Sequence, residues 1–266
     1  MHEFLFIGFF VSTENITFEQ PLNEHIRICL RLEFLFAEMQ HFIANEASWD
    51  SRMALSALLE ILGVIDRPDL KSKLGQALNQ YTNFLLQLES RTNVDKDKLK
   101  QIIKQLDAMM DYLHSNQGRV GQEIRDNEFL FTIQQRLYTP AGTCGFCAPA
   151  YNLWLQQPHV IRQRKLNEWL KPFLPIKSIV EVLLKLTRES TSFKAVFAES
   201  GFYQSSLDPV IPYQMIRISL PSSLGVYPEI SVGRHRLTIH FFELATDSRA
   251  NQAERNIQFG LACCRV

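Results

Sequence analysis

The chain has 266 residues, enough for one large domain or two smaller ones. With 46% hydrophobic and 21% charged residues its composition is globular, which excludes a disordered or low-complexity chain. Its 28 basic and 28 acidic residues cancel, so no global charge draws it to nucleic acid or an anionic membrane, and any charged partner must be met by a local patch.

The first residues, "MHEFLFIGFFV", are apolar, but residues 1–20 hold no Lys or Arg, so the charged start of a signal peptide is missing. The run is also too short to span a bilayer, which needs about 20 apolar residues. Residues 1–17 read as an extra strand, a packing tail or a start placed too far upstream. From Pro21 to about 190 the apolar period is helical. Helices are expected at about 23–44, 50–63, 126–137, 158–172 and 175–190. Between the second and third of these, two long amphipathic helices are marked by Leu70, Leu74, Leu78, Tyr81 and Leu85 and by Leu99, Ile102, Leu106, Met109 and Leu113. Their boundary, near "VDKD" at 94–97, has no Gly or Pro to fix it.

After residue 190 periods of two replace periods of three and four. "QMIRISL", "RLTIHFF" and "NIQFGLACC" alternate as strands, and the spacers between them suggest a small antiparallel sheet or sandwich. The expected fold is α+β: an N-terminal extension at 1–17, a helical, bundle-like domain at 18–190 and an antiparallel β domain at 191–266.

Five cysteines, an odd number without regular disulfide spacing, favour a reducing compartment and hence the cytoplasm. Cys144 and Cys147 form a CxxC stretch, and Cys263 and Cys264 stand near the end of the chain. A redox dithiol needs a strand-to-helix setting that is missing around Cys144. A structural zinc site built from Cys144, Cys147, Cys263 and Cys264 would need neighbouring strand residues to face one metal, although they point to opposite faces. Small apolar packing residues are the simpler reading, with the zinc or thiol-redox protein as the alternative function. No HExxH, Walker loop, GxGxxG or GxSxG occurs, so an enzyme is the weaker hypothesis, and neither a cofactor nor a metal is expected.

In "PLNEHIRICLRLEFLF", Arg27 and Arg31 stand four residues apart on one helix face. They either lean on Glu24 within the helix or present a pair of guanidinium forks to a partner's carboxylates. Arg125 precedes the helix at 126–137. Between 157 and 190, Arg162, Arg164, Lys165, Lys171, Lys177, Lys185 and Arg188 outnumber the acids and read first as solvated helix faces. Few aromatics interleave them, which argues against nucleic acid.

The blocks "FEQPLNEHIRICLRLEFLF" at 18–36, "RVGQEIRDNEFL" at 119–130, "QQRLYTPAGTCGFCAPAYNLWL" at 134–155, "SGFYQ" at 200–204, "VYPEIS" at 226–231 and the terminal "FGLACC" resemble, in order, the ZapD (YacF) family of FtsZ-associated cell division proteins. The resemblance implies a cytoplasmic, non-enzymatic homodimer recruited to mid-cell. There it would bind the C-terminal tail of FtsZ and cross-link FtsZ protofilaments to promote Z-ring assembly, without nucleic acid or membrane partners. It places the tail site on a basic patch at Arg27, Arg31 and Arg125. Glu128 and Asn152 stand where relatives carry other residues, which shifts the expected patch towards Arg67, Lys71 or 162–165. Within the cysteine loop, Pro140 and Gly142 are expected to make the turn, and Phe146 and Trp154 to pack.

Overall fold

A computed structural model describes residues 15–88, 95–115 and 119–266. The chain divides into two compact units: a helical one, Glu24–Leu186, and a sheet unit built, among the described residues, from 15–23 and 187–266.

The helical unit holds α1 (Glu24–Ala44), α2 (Ser48–Ile65), α3 (Leu70–Leu88), α4 (Lys96–His114), α5 (Gln122–Arg125), α6 (Glu128–Leu137), α7 (Pro149–Leu155), α8 (His159–Leu170) and most of α9 (Leu174–Glu189). In α1 the buried side chains Ile28, Leu32, Leu35, Phe36 and Met39 recur at helical spacing, and this stripe packs on α2. In α3 and α4 the periodic leucines are likewise buried, and the two helices pack together. The uncertain boundary ahead of α4 has a local cause: Asp95 is an N-cap whose side chain accepts from the amides of Asp97 and Lys98, both at 3.2 Å. Residues 89–94 lie outside the described ones. Among the described residues no helix is long and apolar enough to cross a membrane.

The sheet unit pairs β1 (Asn15–Pro21), β4 (Tyr213–Pro221), β7 (Ile257–Arg265) and β2 (Lys194–Ala198) into a four-stranded sheet ordered β1-β4-β7-β2. A second sheet, ordered β3-β6-β5, is made by β3 (Phe202–Ser206), β6 (Arg236–Glu243) and β5 (Val226–Val232). All pairings are antiparallel. Inward residues of β4 (Ile216, Ile218, Leu220), β7 (Ile257, Phe259, Leu261) and β6 (Leu237, Ile239, Phe241) share one core, with the Phe241 and Phe259 rings 5.0 Å apart. The architecture is therefore α+β with a two-sheet sandwich, as the alternating runs predict.

One domain boundary needs correction. Residues 18–23, expected in the helical domain, fall in the sheet unit, because β1 is an edge strand of the first sheet, in register from Asn15 opposite Pro221 to Pro21 opposite Met215. In "NITFEQP" Ile16, Thr17 and Phe18 favour a strand, in line with the extra strand that is one reading of 1–17, but Glu19, Gln20 and Pro21 do not, and the strand runs on through them by pairing with β4, about 200 residues away. The cross-strand pair Glu19–Arg217 shows what fixes it there. Arg188 Nε and Nη2 reach the two Glu19 carboxylate oxygens at 2.9 and 2.7 Å, and Arg217 Nε reaches Oε1 at 2.9 Å.

Candidate functional site

The loop joining α2 to α3 gathers most of the expected basic residues. Glu24, in the first turn of α1, accepts from Arg27 Nη1 at 2.5 Å and pairs through its other oxygen with Arg67 Nη1 at 3.0 Å. The hydrogen bond from Arg27, with help from Arg67, holds the Glu24 carboxyl below its usual range. Glu24 thus relieves Arg27 within the helix, one of the two sequence readings, and also ties α1 to the loop between α2 and α3. Arg125 pairs with Asp66, its Nε 2.6 Å from Oδ1. Only 16% of the Arg125 side chain is exposed, and its Nη1 is buried with no hydrogen-bond partner among the described residues.

These side chains border two adjoining cavities. A cavity of ≈ 330 Å³ is lined by Asp66, Arg67, Lys71, Arg119 and Arg125 over an apolar floor that includes Ile65, Leu70, Val120 and Ile176. A second, of ≈ 700 Å³, shares Lys71, Arg119 and Val120 with it and adds Gln122, Glu123, Glu168 and Lys171. Arg67, Lys71, Arg119, Arg125 and Lys171 therefore face three carboxylates, Asp66, Glu123 and Glu168, around one groove. Among the described residues Lys71, Arg119 and Lys171 make no ion pair, whereas Arg67 and Arg125 are paired with Glu24 and Asp66, so the first three offer the most available positive charge. The chemistry of such a groove is recognition of a chain of carboxylates.

Of the expected residues, Arg67, Lys71 and Arg125 line the groove, and Arg27 joins its edge through Glu24. Arg31 is exposed a turn further along α1 and is not among the groove's lining residues. Asn152 belongs elsewhere. It sits exposed on α7 against Gly145, in the loop whose Thr143 hydroxyl accepts from Arg52 near the start of α2. Arg52 and Asp66 are fourteen residues apart on and just beyond α2, about 20 Å at the helical rise of roughly 1.5 Å per residue. The 162–165 alternative is also narrowed. Arg162 is buried and spent internally, donating to the carbonyls of Gln157, Ala47 and Glu46 and to the Ser51 hydroxyl. Arg119, in the "RVGQEIR" block, also lines the groove, although it is not among the residues expected there from the sequence. Its signal was the glycine two positions on, since Gly121 takes a left-handed φ of 76° that turns the chain into α5.

The cysteines separate by environment. Cys144 and Cys147 are half-buried in a turn in which the Cys147 amide donates to the Cys144 carbonyl at 3.0 Å, just before Pro149 opens α7, a helix not expected from the sequence. Phe146, expected to pack, is 89% exposed, whereas Trp154 is buried. Cys263 and Cys264 face opposite sides of β7, and no three His, Cys, Asp or Glu side chains among the described residues stand together to hold a metal ion. The zinc or redox alternative therefore finds no support as the protein's function. Burial pushes the Cys29 thiol up to about 12 and Cys264 up to about 11, while a hydrogen bond from the Cys147 thiol lowers Cys144. Native protein treated with iodoacetamide near neutral pH is expected to label first at Cys144, with Cys29 and Cys264 reacting only after denaturation, as read by peptide mass spectrometry. Early labelling of Cys29 would contradict its placement in the α1 core.

A sequence model of the ZapD family, described as a cell division protein, matches residues 30–240. Over 253 residues the chain is 46% identical to the cell division protein ZapD of Coxiella burnetii (strain RSA 331 / Henzerling II), covering 94% of this chain and 98% of that protein. It is 32% identical over 249 residues to ZapD of Methylococcus capsulatus, covering 94% and 98%, and 36% identical over 251 residues to ZapD of Azoarcus sp. (strain BH72), covering 94% and 100%. With the α+β order of elements and an almost end-to-end match to these relatives, the chain belongs to the ZapD family of cell division proteins.

Proposed function

We propose that the basic groove binds an acidic stretch of the C-terminal tail of FtsZ, and that two copies of the chain, joined as a homodimer, cross-link FtsZ protofilaments and promote Z-ring assembly at mid-cell. The observation that carries this reading is the groove itself, with Lys71 and Arg119 making no ion pair among the described residues and Arg67 and Arg125 beside them. The family's place in cell division supports it. A tail on a flexible linker supplies a weak single-site ligand, and bivalency turns two weak sites into filament cross-links. No catalytic step is needed, and the protein works in the cytoplasm.

Purified protein is expected to sediment with FtsZ polymer and raise its light scattering, and FtsZ lacking its tail is expected to do neither. Bundling that survives tail removal would sink the proposal. Reversing Lys71 and Arg119 together to Glu is expected to weaken binding of a tail peptide by about tenfold or more and to leave the thermal midpoint nearly unchanged, since neither is buried and neither makes an ion pair among the described residues. Reversing Arg27 and Arg31 together is expected to weaken binding as well, with a cost in stability because Arg27→Glu sets a like charge beside Glu24, which keeps only Arg67 as its partner. Peptide affinity should fall steeply with added salt.

A further inference from the structure

We infer that Cys144 and Cys147 form an oxidative modification site, at which a hydroperoxide converts the two thiols into a reversible disulfide within their own turn. Such a site is independent of the tail-binding reading and leaves the role in cell division as it stands: it is a modification of the protein and not a second function.

Of the five cysteines, Cys29 and Cys264 are buried, and Cys263 faces away from Cys264 across β7. Cys144 and Cys147 differ: both are half-buried, and their thiols are hydrogen-bonded to each other. Gly145 and Phe146 turn the chain between them, so that the Cys147 and Ala148 amides donate to the Cys144 carbonyl, both at 3.0 Å. A turn closed in this way holds its first and fourth Cα atoms within about 7 Å, and a disulfide spans about 4.4–6.8 Å, so the bond can close by side-chain rotation with the backbone in place. The frame on either side is fixed. Upstream, Gly142 and Thr143 are buried, Arg52 donates to the Thr143 hydroxyl, and the Cys144 amide donates to the Ala141 carbonyl at 2.9 Å. Downstream, Ala148 is buried and α7 sets Tyr151 and Trp154, stacked at 6.0 Å, into an aromatic cluster with Phe129 and Trp169. Between these anchors the sulfurs are open to a small oxidant, since Gly145 has no side chain to cover them and Phe146 stands in solvent.

The two sulfurs are unlike, and that orders the steps. The Cys147 thiol donates to the Cys144 sulfur, and the amides of Cys147 and Phe146 add to this bond, so Cys144 ionises below the ordinary thiol value of 9.0 and Cys147 above it. The Cys144 thiolate attacks an oxygen of the hydroperoxide. An S–O bond forms, the O–O bond breaks, and the leaving oxygen takes up the proton that Cys144 lost and departs as an alcohol, or as water from hydrogen peroxide. Cys147 then attacks the sulfenic sulfur: the S–S bond forms, the S–O bond breaks, and the Cys147 proton leaves with the oxygen as water. The dithiol gives up two electrons and two protons, and the hydroperoxide accepts them. Because the second thiol is already in contact with the first, closure outruns further oxidation of Cys144 to sulfinic acid. A thiol reductant reverses the bond by exchange.

The test uses the full chain, fully reduced, freed of reductant and treated near neutral pH with a small molar excess of hydrogen peroxide. Remaining thiols are blocked with N-ethylmaleimide in denaturant, and the protein is digested without reductant for peptide mass spectrometry. The expected product is a peptide holding Cys144 and Cys147 that is lighter by two hydrogens, carries no maleimide and returns to the dithiol with dithiothreitol, while Cys29, Cys263 and Cys264 remain thiols. Cys147→Ser is expected to stop at a sulfenic acid on Cys144 that dimedone traps. Cys144→Ser is expected to slow peroxide oxidation in this turn by about tenfold or more, because the thiol left behind is the less ionised one. Sulfinic acid on Cys144 of the parent protein, a disulfide joining two chains, or a dithiol that survives while Cys263 oxidises would overturn the proposal. Equal oxidation rates for the parent and Cys144→Ser would remove Cys144 as the attacking sulfur.

Discussion

Replacing Glu19 with Gln is expected to destabilise the sheet unit by about 3 kcal/mol at neutral pH, because it leaves Arg188 and Arg217 without their shared carboxylate. Glu19 is 15% exposed and takes charge-assisted hydrogen bonds from both guanidiniums; Arg217 is held further by the Arg188 carbonyl at 3.2 Å and by the Phe193 ring, 4.9 Å from its carbon. The neutral amide keeps the shape but cannot answer two cations. Urea unfolding followed by circular dichroism checks this, and hydrogen exchange in β1 should rise with it, since Glu19 anchors that edge strand.

The pH dependence follows from the same geometry. Burial alone would raise the Glu19 carboxyl, but the hydrogen bonds and charges of Arg188 and Arg217 outweigh it and leave the group below its ordinary value of 4.5. A depressed carboxyl contributes stability that is fully present above about 4.5 and is lost as pH falls through the lower folded value. Glu19→Gln lacks that contribution at every pH, so the stabilities of the two proteins should converge under acid. An undiminished gap at pH 3 would show that some other feature of the residue is responsible.

The second large effect is expected from Gly121→Ala. Gly121 takes φ 76°, and a Cβ there would come within 2.5 Å of Cε1 and 2.7 Å of Cζ of Phe173, a ring with no exposed surface. The left-handed backbone costs an alanine about 1–2 kcal/mol, and overpacking a filled core adds about 1–3 kcal/mol, so a loss of roughly 3 kcal/mol is expected. Function should fall as well, because Arg119 is two residues away and its place in the groove depends on this turn. Arg119→Ala provides the contrast: tail-peptide affinity should drop while the unfolding midpoint stays near that of the parent. Equal stability of Gly121→Ala and the parent would remove the turn from the account.

Much of this molecule can be read from its residues. The buried stripe of α1, the paired stripes of α3 and α4 and the alternating runs of β4, β6 and β7 all follow from apolar period, since one face of each element must leave water. Two elements escaped that logic. Helix α7 has seven residues, too short for a period to register, and its best signal is Pro149 at the first helical position. Strand β1 exists by its pairing with β4. The cysteine loop shows the same limit: the sequence suggests that Phe146 packs, but the turn around Cys144 carries that ring into solvent while Trp154, eight residues on, enters the aromatic cluster.

By itself the sequence determined the α+β order, the family and the stock of basic side chains, because periodicity and ordered blocks of matching residues are local properties of the chain. Only the tertiary structure decided which cations are available. Arg162 and Arg188 look equivalent to Lys71 on paper, yet the first is buried under backbone carbonyls and the second clasps Glu19. Lys71 and Arg119, nearly fifty residues apart, meet across one groove. A charge is free or spent according to its neighbours in space, and those neighbours are brought by folding.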